Sequence, residues 1–276
     1  MGRTLVRLLG SFERGYRLIP SRMCLARVER STAHGVLVVG WHNGCHMLIL
    51  GIETATPLVS VAIGGHEGVL GLFETSRGRR HAETLVPAIE FVCKQADVQI
   101  GEFGAIAVDV GPGLFTGMRV GLAAAKAMAQ ALRLPMIGIS SLDLLSFPLR
   151  HADRTIAAVI DARKGEVFYA FYRAVPGGVQ RVTEPCCAPV DDLVADLIAR
   201  GQNVVCVGDG ALRYREQIAS CVHCDFAEQF VQYPSAAPLV QLAHARALRE
   251  EWVNPWEMQP LYLRAPDAQI NWSTRS

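Results

Sequence analysis

No stretch of the chain reaches the roughly 18 consecutive apolar residues that a membrane-spanning helix needs, although half of its 276 residues are hydrophobic. The positive mean hydropathy of +0.22 therefore reads as Ala, Val, Leu and Gly in packed elements, and a membrane protein is excluded. Charge is scarce, at 19% of residues, and nearly balanced, at +1. The small excess sits at the start. Residues 1 to 46 hold seven arginines (Arg3, Arg7, Arg14, Arg17, Arg22, Arg27, Arg30) against Glu13 and Glu29, a surplus of +5 that leaves the rest of the chain at −4. A mildly acidic body has no electrostatic footprint of its own for wrapping nucleic acid, because that affinity rests on clustered Lys and Arg against phosphate. If RNA is involved, a partner supplies the grip.

Two further patterns are missing. The eight cysteines (Cys24, Cys45, Cys93, Cys186, Cys187, Cys206, Cys221, Cys224) follow no disulfide framework, and no apolar signal segment with a cleavage site precedes them, so a reducing cytoplasm is the expected location. Cys221-Val-His-Cys224 has the spacing of half a zinc site, but Cys186 and Cys187 are adjacent and make no second pair, so these read as reduced thiols. Gly111-Pro112-Gly113-Leu114-Phe115-Thr116-Gly117-Met118-Arg119 is rich in glycine yet lacks the Gly-Lys-Ser/Thr ending of a nucleotide-binding P-loop.

What is present is regular from Met47 onward. Apolar runs at 48–52, 58–63 and 69–73, the last two joined by Gly64-Gly65-His66-Glu67-Gly68, predict a three-stranded meander. A helix follows over about 82–96, with Leu85, Ile89, Val92 and Cys93 on one face; then a strand at 105–109, the glycine-rich turn, a helix over 116–132, a strand at 136–139 and a short helix over 142–149. The order then repeats: strands at 156–160, 167–173 and 179–182, a helix over 190–199, a strand at 204–207, a helix from Ala211 and a later one over 236–249. Two βββαβα passes predict an α/β protein of two lobes facing each other across a cleft, the actin-like architecture of sugar kinases and Hsp70. A doubly wound fold fits less well, because three-strand meanders are not βαβ crossovers. The expected division is 1–46, 47–153 and 154–276. Residues 1–46 have no sustained period and read as a basic extension, disordered, a presequence or arm, or the product of a start codon assigned upstream.

Glycines between a strand and a helix allow close backbone approach, and a helix start offers free N–H groups, so the 111–119 stretch can serve either an anion or a tight turn. It is accompanied by Ile49-Leu50-Gly51-Ile52-Glu53-Thr54-Ala55-Thr56 before it, Asp161-Ala162-Arg163-Lys164-Gly165-Glu166-Val167 after it, and Pro260-Leu261-Tyr262-Leu263-Arg264 near the end. In order and spacing these resemble the TsaB (YeaZ) family of the machinery that makes threonylcarbamoyladenosine in tRNA, over residues 47–265. The resemblance implies the actin-like fold, a cytoplasmic location, and partnership with the transferase subunit TsaD through a helical bundle and with the ATPase TsaE. It also implies a bundle with a second copy when the protein is alone, and contact with tRNA mainly through the complex.

Set beside catalytic relatives, the sequence departs twice. TsaD-like sequences carry an HxxxH pair for a metal; here the stretch is His81-Ala82-Glu83-Thr84-Leu85, and one imidazole cannot hold the ion, since Glu83 two residues on does not share the face. His81 then reads as a surface or interface residue at the helix start. Actin-like phosphotransferases cradle phosphates in glycine-rich hairpins beside an acid on the first strand of each lobe. Here those turns read Glu53-Thr54-Ala55-Thr56-Pro57 and Asp161-Ala162-Arg163-Lys164-Gly165, which are crowded. Glu53, Thr54, Asp161, Gly208 and Gly210 are the expected remnants of a weak or vestigial nucleotide cleft, with Arg163 and Glu166 lining the cleft.

The resemblance places the partner surface on His81, Leu85, Ile89, Gly111, Gly113, Phe115, Thr116, Arg119, Val120 and Ala123, with Ala124, Ala127 and Ala131 continuing the small-residue stripe. Leu114 stands where many relatives have serine. The expected function is a scaffold without catalytic residues, cofactor or metal of its own, which holds the transferase for threonylcarbamoyl transfer to N6 of the adenosine 3′ of the anticodon, in tRNAs reading codons that begin with adenine. ATP and the metal belong to the partner subunits. A small actin-like ATP-dependent phosphotransferase is the rival, and a glycoprotease-type metallopeptidase the weaker one.

Overall fold

The computed structural model describes residues 28–30, 37–39, 47–76, 80–201 and 203–264, and the chain divides into two units, Met1–Cys45 and His46–Ser276. In the first unit β1 (Val28–Arg30) and β2 (Leu37–Val39) pair antiparallel, with Val28 opposite Val39. The sequence of that stretch predicts no regular element; two strands form there, and the rest of 1–46 lies outside the described residues.

The second unit opens with the meander β3 (Leu48–Glu53), β4 (Val59–Gly65) and β5 (Gly68–Thr75). Helix α1 (His81–Gln95), β6 (Phe103–Asp109), α2 (Phe115–Leu132) and β7 (Met136–Ile139) complete a five-stranded sheet of order β5-β4-β3-β6-β7. Helix α3 (Ser141–Ser146) leads into a second sheet, built from β8 (Thr155–Arg163), β9 (Glu166–Val175), β10 (Gly178–Arg181), β11 (Cys186–Pro189), α4 (Val190–Arg200), β12 (Val204–Val207), α5 (Asp209–Arg213), α6 (Arg215–Cys221) and β13 (Asp225–Phe226). Its order is β10-β9-β8-β12-β13, with β11 beside β9. In both sheets a meander's first strand is central and its parallel neighbours are added after helices, so the arrangement is duplicated. This is the two-lobed actin-like fold.

Alternation along the strands divides each sheet into two buried faces. On the first sheet Leu50, Ile52, Val61, Ile63, Ile106 and Val108 pack under α1 and α2. Helix α7 (Ala236–Ala247), the last of the described helices, covers the other face of this same sheet. There Gly51 and Gly64 make room for Val240, whose Cγ atoms lie where a Cβ on either glycine would point. Residues 236–247, expected within the second lobe, therefore pack on the first sheet. The chain continues back across the molecule: Val253 bridges Met136, Leu261 N–H donates to Val110 O at 2.7 Å, and Arg264 Nη1 donates to Ala162 O at 2.8 Å.

Candidate functional site

The two motif turns of the first lobe are packed against each other. Leu114 N–H donates to Ala55 O at 2.6 Å, and Thr54 Oγ1 donates to Gly117 O at 2.8 Å. A Cβ on Gly113 would strike Ala55 O, and one on Gly117 would strike Thr54 O. The glycines expected to admit a ligand or a partner thus admit a segment of the same chain, and Thr54, expected at a nucleotide, holds the start of α2. Gly111, at φ +96°, is buried beneath Met118. Leu114 occupies the N-cap position of α2 without a side-chain cap, as an aliphatic residue must.

Beneath these turns lie two carboxyl groups. Glu53 ends β3 and Asp109 ends β6, and both are buried. Glu53 Oε1 accepts from Ala55 N–H at 2.8 Å; Asp109 Oδ1 accepts from Gly111 N–H and Ser141 Oγ–H, each at 2.7 Å. Burial, then the neighbouring Asp109, holds Glu53 well above the usual carboxylate range. Burial pushes Asp109 up to about 7 against the hydrogen bonds from Gly111 and Ser141. Asp109 carries no motif signature and was not foreseen from the sequence.

In the second lobe Asp161 is buried at the end of β8, where its carboxylate faces Arg163 Nη1 at 3.2 Å and Arg213 Nε at 3.5 Å. Arg163, Lys164 and Gly165 all adopt positive φ, of 67°, 58° and 79°, which makes the hairpin turn tight. A polar cavity of about 720 Å³ opens beside them, lined among others by Asp161, Arg163, Asp209, Arg213, Phe226 and Tyr233. Burial pushes Asp209 up to about 6, with the Asp161 charge adding to it and backbone donors opposing. Gly208 and Gly210, expected at a nucleotide, are absent from this lining. A Cβ on Gly208 would meet Val159 O, and one on Gly210 would lie 2.8 Å from Ile160 C, so both serve the approach of α5 to β8. Glu166 pairs with Arg264 Nη1 at 3.0 Å. A second cavity, of about 330 Å³, lies between the 112–115 turn and the 161–163 turn and is closed by Leu261–Arg264.

Several residues expected at a partner surface are turned inward. Leu85 and Ile89 are buried in the first core, because the apolar face that defines α1 is the face it buries. His81, also buried, places Nε2 2.8 Å from Thr56 O and ties the start of α1 to the 53–57 turn. The large exposed hydrophobic residues of α1 are Val86 and Phe91, at 55% and 52% exposure, which sequence reasoning missed. On α2 the buried face is Gly117, Met118, Gly121, Leu122, Ala125 and Ala129. Thr116, Arg119, Ala123, Ala127 and Ala131 are exposed, with Val120 and Ala124 half-buried beside them. Arg119 lies over the Phe115 ring at 3.6 Å and donates from Nε to Tyr262 Oη at 3.2 Å. Tyr262 belongs to the closing motif of the sequence, which is the signal that could have found it.

Cys221 is exposed, and Cys224 lies 3.9 Å from Cys206, sulfur to sulfur. Among the described residues no three His, Cys, Asp or Glu side chains are grouped to hold a metal ion, and no helix is long and apolar enough to cross a membrane.

Comparison with known proteins adds independent findings. The family model described as "TsaD: tRNA N6-adenosine threonylcarbamoyltransferase" matches residues 66–272. The chain is similar to the tRNA threonylcarbamoyladenosine biosynthesis protein TsaB of Bacillus subtilis, at 26% identity over 82% of this chain and 98% of that one. It is 36% identical to the protein of the same name from Escherichia coli, over 48% of this chain and 58% of that one. Among solved structures it resembles YeaZ from Pseudomonas aeruginosa with a TM-score of 0.68 and 26% identity, covering 79% of this chain and 100% of the other.

Proposed function

The chain belongs to the TsaB/YeaZ family, and from that premise we propose that it serves threonylcarbamoyladenosine formation in tRNA as a scaffold, by presenting the outer face of α1 and α2 to a TsaD-type transferase subunit. The observation that carries this reading is the exposed stripe Thr116, Ala123, Ala127 and Ala131, with Val86 exposed on the neighbouring helix. Small side chains let a second helix pair approach closely, and Val86 supplies apolar area to bury. Arg119, Phe115 and Tyr262 sit at one end of the stripe, and residues of these types are common anchors of interfaces.

The inward-facing Glu53, Thr54, Gly113 and Gly117 support a chain that lends surface rather than phosphate chemistry. Transfer chemistry, ATP and metal then lie with the partner subunits, TsaD and the ATPase TsaE, and tRNA is gripped mainly by the assembly.

Ala123→Glu tests the assignment, because position 123 is exposed and a carboxylate there leaves the fold intact. The variant is expected to bind the transferase subunit at least about tenfold more weakly in titration calorimetry, since it buries an unpaired charge at the contact. Cells depleted of the protein should lose threonylcarbamoyladenosine from tRNA hydrolysates and regain it with the wild-type chain but not with this variant. Full binding and full restoration by the variant would move the interface elsewhere. ATP turnover by the isolated wild-type chain would favour the phosphotransferase rival.

A further inference from the structure

On the face of the first sheet that α7 covers, one lateral row of residues is polar. Register places Glu74 of β5 opposite Ser60 of β4, and Ser60 opposite Glu53 of β3. Strand β3 runs parallel to β6 with Ile52 beside Val108, so the next residues, Glu53 and Asp109, are neighbours pointing to the same side. The outer part of the row is satisfied: Ser60 Oγ donates to Glu74 Oε1 at 3.1 Å and accepts from Ala236 N–H at 2.8 Å. The inner part is different. Glu53 Oε1 and Asp109 Oδ1 are hydrogen-bonded, with Thr56 N–H also acting on the Glu53 carboxyl, whereas Oε2 and Oδ2 are buried without a hydrogen-bond partner. Two ionised carboxylates side by side would repel in a low dielectric, and each oxygen without a protein partner would carry its desolvation cost.

We propose that Glu53 and Asp109 hold one proton between them, with the Glu53 carboxylic acid donating from Oε2 to Asp109 Oδ2, and that this bond latches together the two turns on which α2 begins. One shared proton satisfies both orphaned oxygens and removes the repulsion, as in other carboxyl pairs that cannot both ionise. The latch has two arms. Through Oε1, Glu53 orders Ala55, whose carbonyl receives Leu114 N–H; through Oδ1, Asp109 orders Gly111 and Ser141.

The other groups facing the pair do not replace the proton. The neighbouring carboxyl groups of Glu74 and Asp143 act to raise Glu53 and Asp109 respectively. From α1 comes His81, engaged with Thr56 O, and from α7 an N-terminus capped by Ser235 and bonded to Ser60. Arg119 of α2 is exposed on the outer side of that helix.

The sign of the pH dependence follows. Both groups titrate higher in the folded chain than their ordinary values, so the native state retains protons that the unfolded chain has released. Stability contributed by the pair is complete only below the ordinary carboxylate values of about 4, and it falls as the pH rises from there through about 7, the value of Asp109, and beyond it for Glu53.

The test is urea unfolding of the full chain between pH 5 and 9, in roughly half-unit steps. One proton lost on unfolding changes the folding constant by up to about tenfold per pH unit. Wild type is expected to show such a fall, and Glu53→Gln, whose amide can donate permanently to Asp109, should flatten it and be the more stable protein at alkaline pH. Parallel curves for wild type and variant would overturn the proposal. If the variant fails to fold, infrared difference spectra of the wild type decide the question: a protonated carboxyl band at neutral pH that disappears in alkali supports the shared proton, and its absence overturns it. Stabilisation by a divalent cation at fixed ionic strength, without stabilisation by acid, would put a metal in the proton's place and equally overturn it.

Discussion

Gly117 illustrates how much of this protein's motif chemistry is packing. It sits in the first turn of α2, where a Cβ would fall on the carbonyl oxygen of Thr54, and its own carbonyl receives the Thr54 hydroxyl. Gly117→Ala should therefore cost about 1–3 kcal/mol in denaturant unfolding through forced separation of α2 from the 53–57 turn, although alanine is the better helix former by about 1 kcal/mol. A neutral or stabilising result would mean that the turn yields easily. A different kind of residue, Asp143, shows the same economy with charge. It accepts from Tyr172 Oη at 2.9 Å and from Arg181 Nη2 at 2.7 Å, and faces Arg246 Nη2 at 3.8 Å, so one carboxylate on α3 gathers groups from β9, β10 and α7.

At the scale of elements, α7 has the largest consequence. Leu239, Val240 and Ala243 are buried against the first sheet, and without them Ile49, Gly51 and Ala62 would face water. A chain ending at residue 235 should accordingly fail to melt cooperatively by circular dichroism and should expose apolar surface to a hydrophobic dye. A sharp transition would show that the sheet stands alone. Most elements were legible from periodicity, and the strands at 136–139 and 204–207 match residue for residue, because continuous apolar runs bounded by turns leave little choice. The short β11 and β13 were not legible, since a tetrapeptide or dipeptide strand is defined by its neighbour rather than by its own pattern. For α1 the pattern was read correctly as a helix and then read once too often. The stripe Leu85, Ile89, Val92 is what the helix buries, so a partner must meet another side, where Val86 interrupts a polar face without a period of its own, while Phe91 turns the other way onto Phe73 of β5. The carboxyl pair was half legible: Glu53 stands in a motif, whereas Asp109 becomes its neighbour only through parallel pairing of β3 and β6.

At the scale of the molecule, two sheets of the same strand order are held together by a terminal strap. Leu261 bonds to the strand end of the first sheet, and Arg264 reaches Ala162 O and Glu166 in the second. Arg264→Ala should cost about 1 kcal/mol or less overall, since the side chain is partly exposed. It should speed amide hydrogen exchange in both the 110–114 and 161–166 turns, as read by mass spectrometry. Acceleration in one turn alone would show that the strap does not couple them. The same return of the chain sets an order of assembly during synthesis. Strand β3 begins at residue 48 and the helix that covers its second face ends at residue 247, so the part of this unit translated first is finished last. The second sheet, whose strands all lie between those limits, can close on the ribosome while its elder waits half-covered for the tail to emerge.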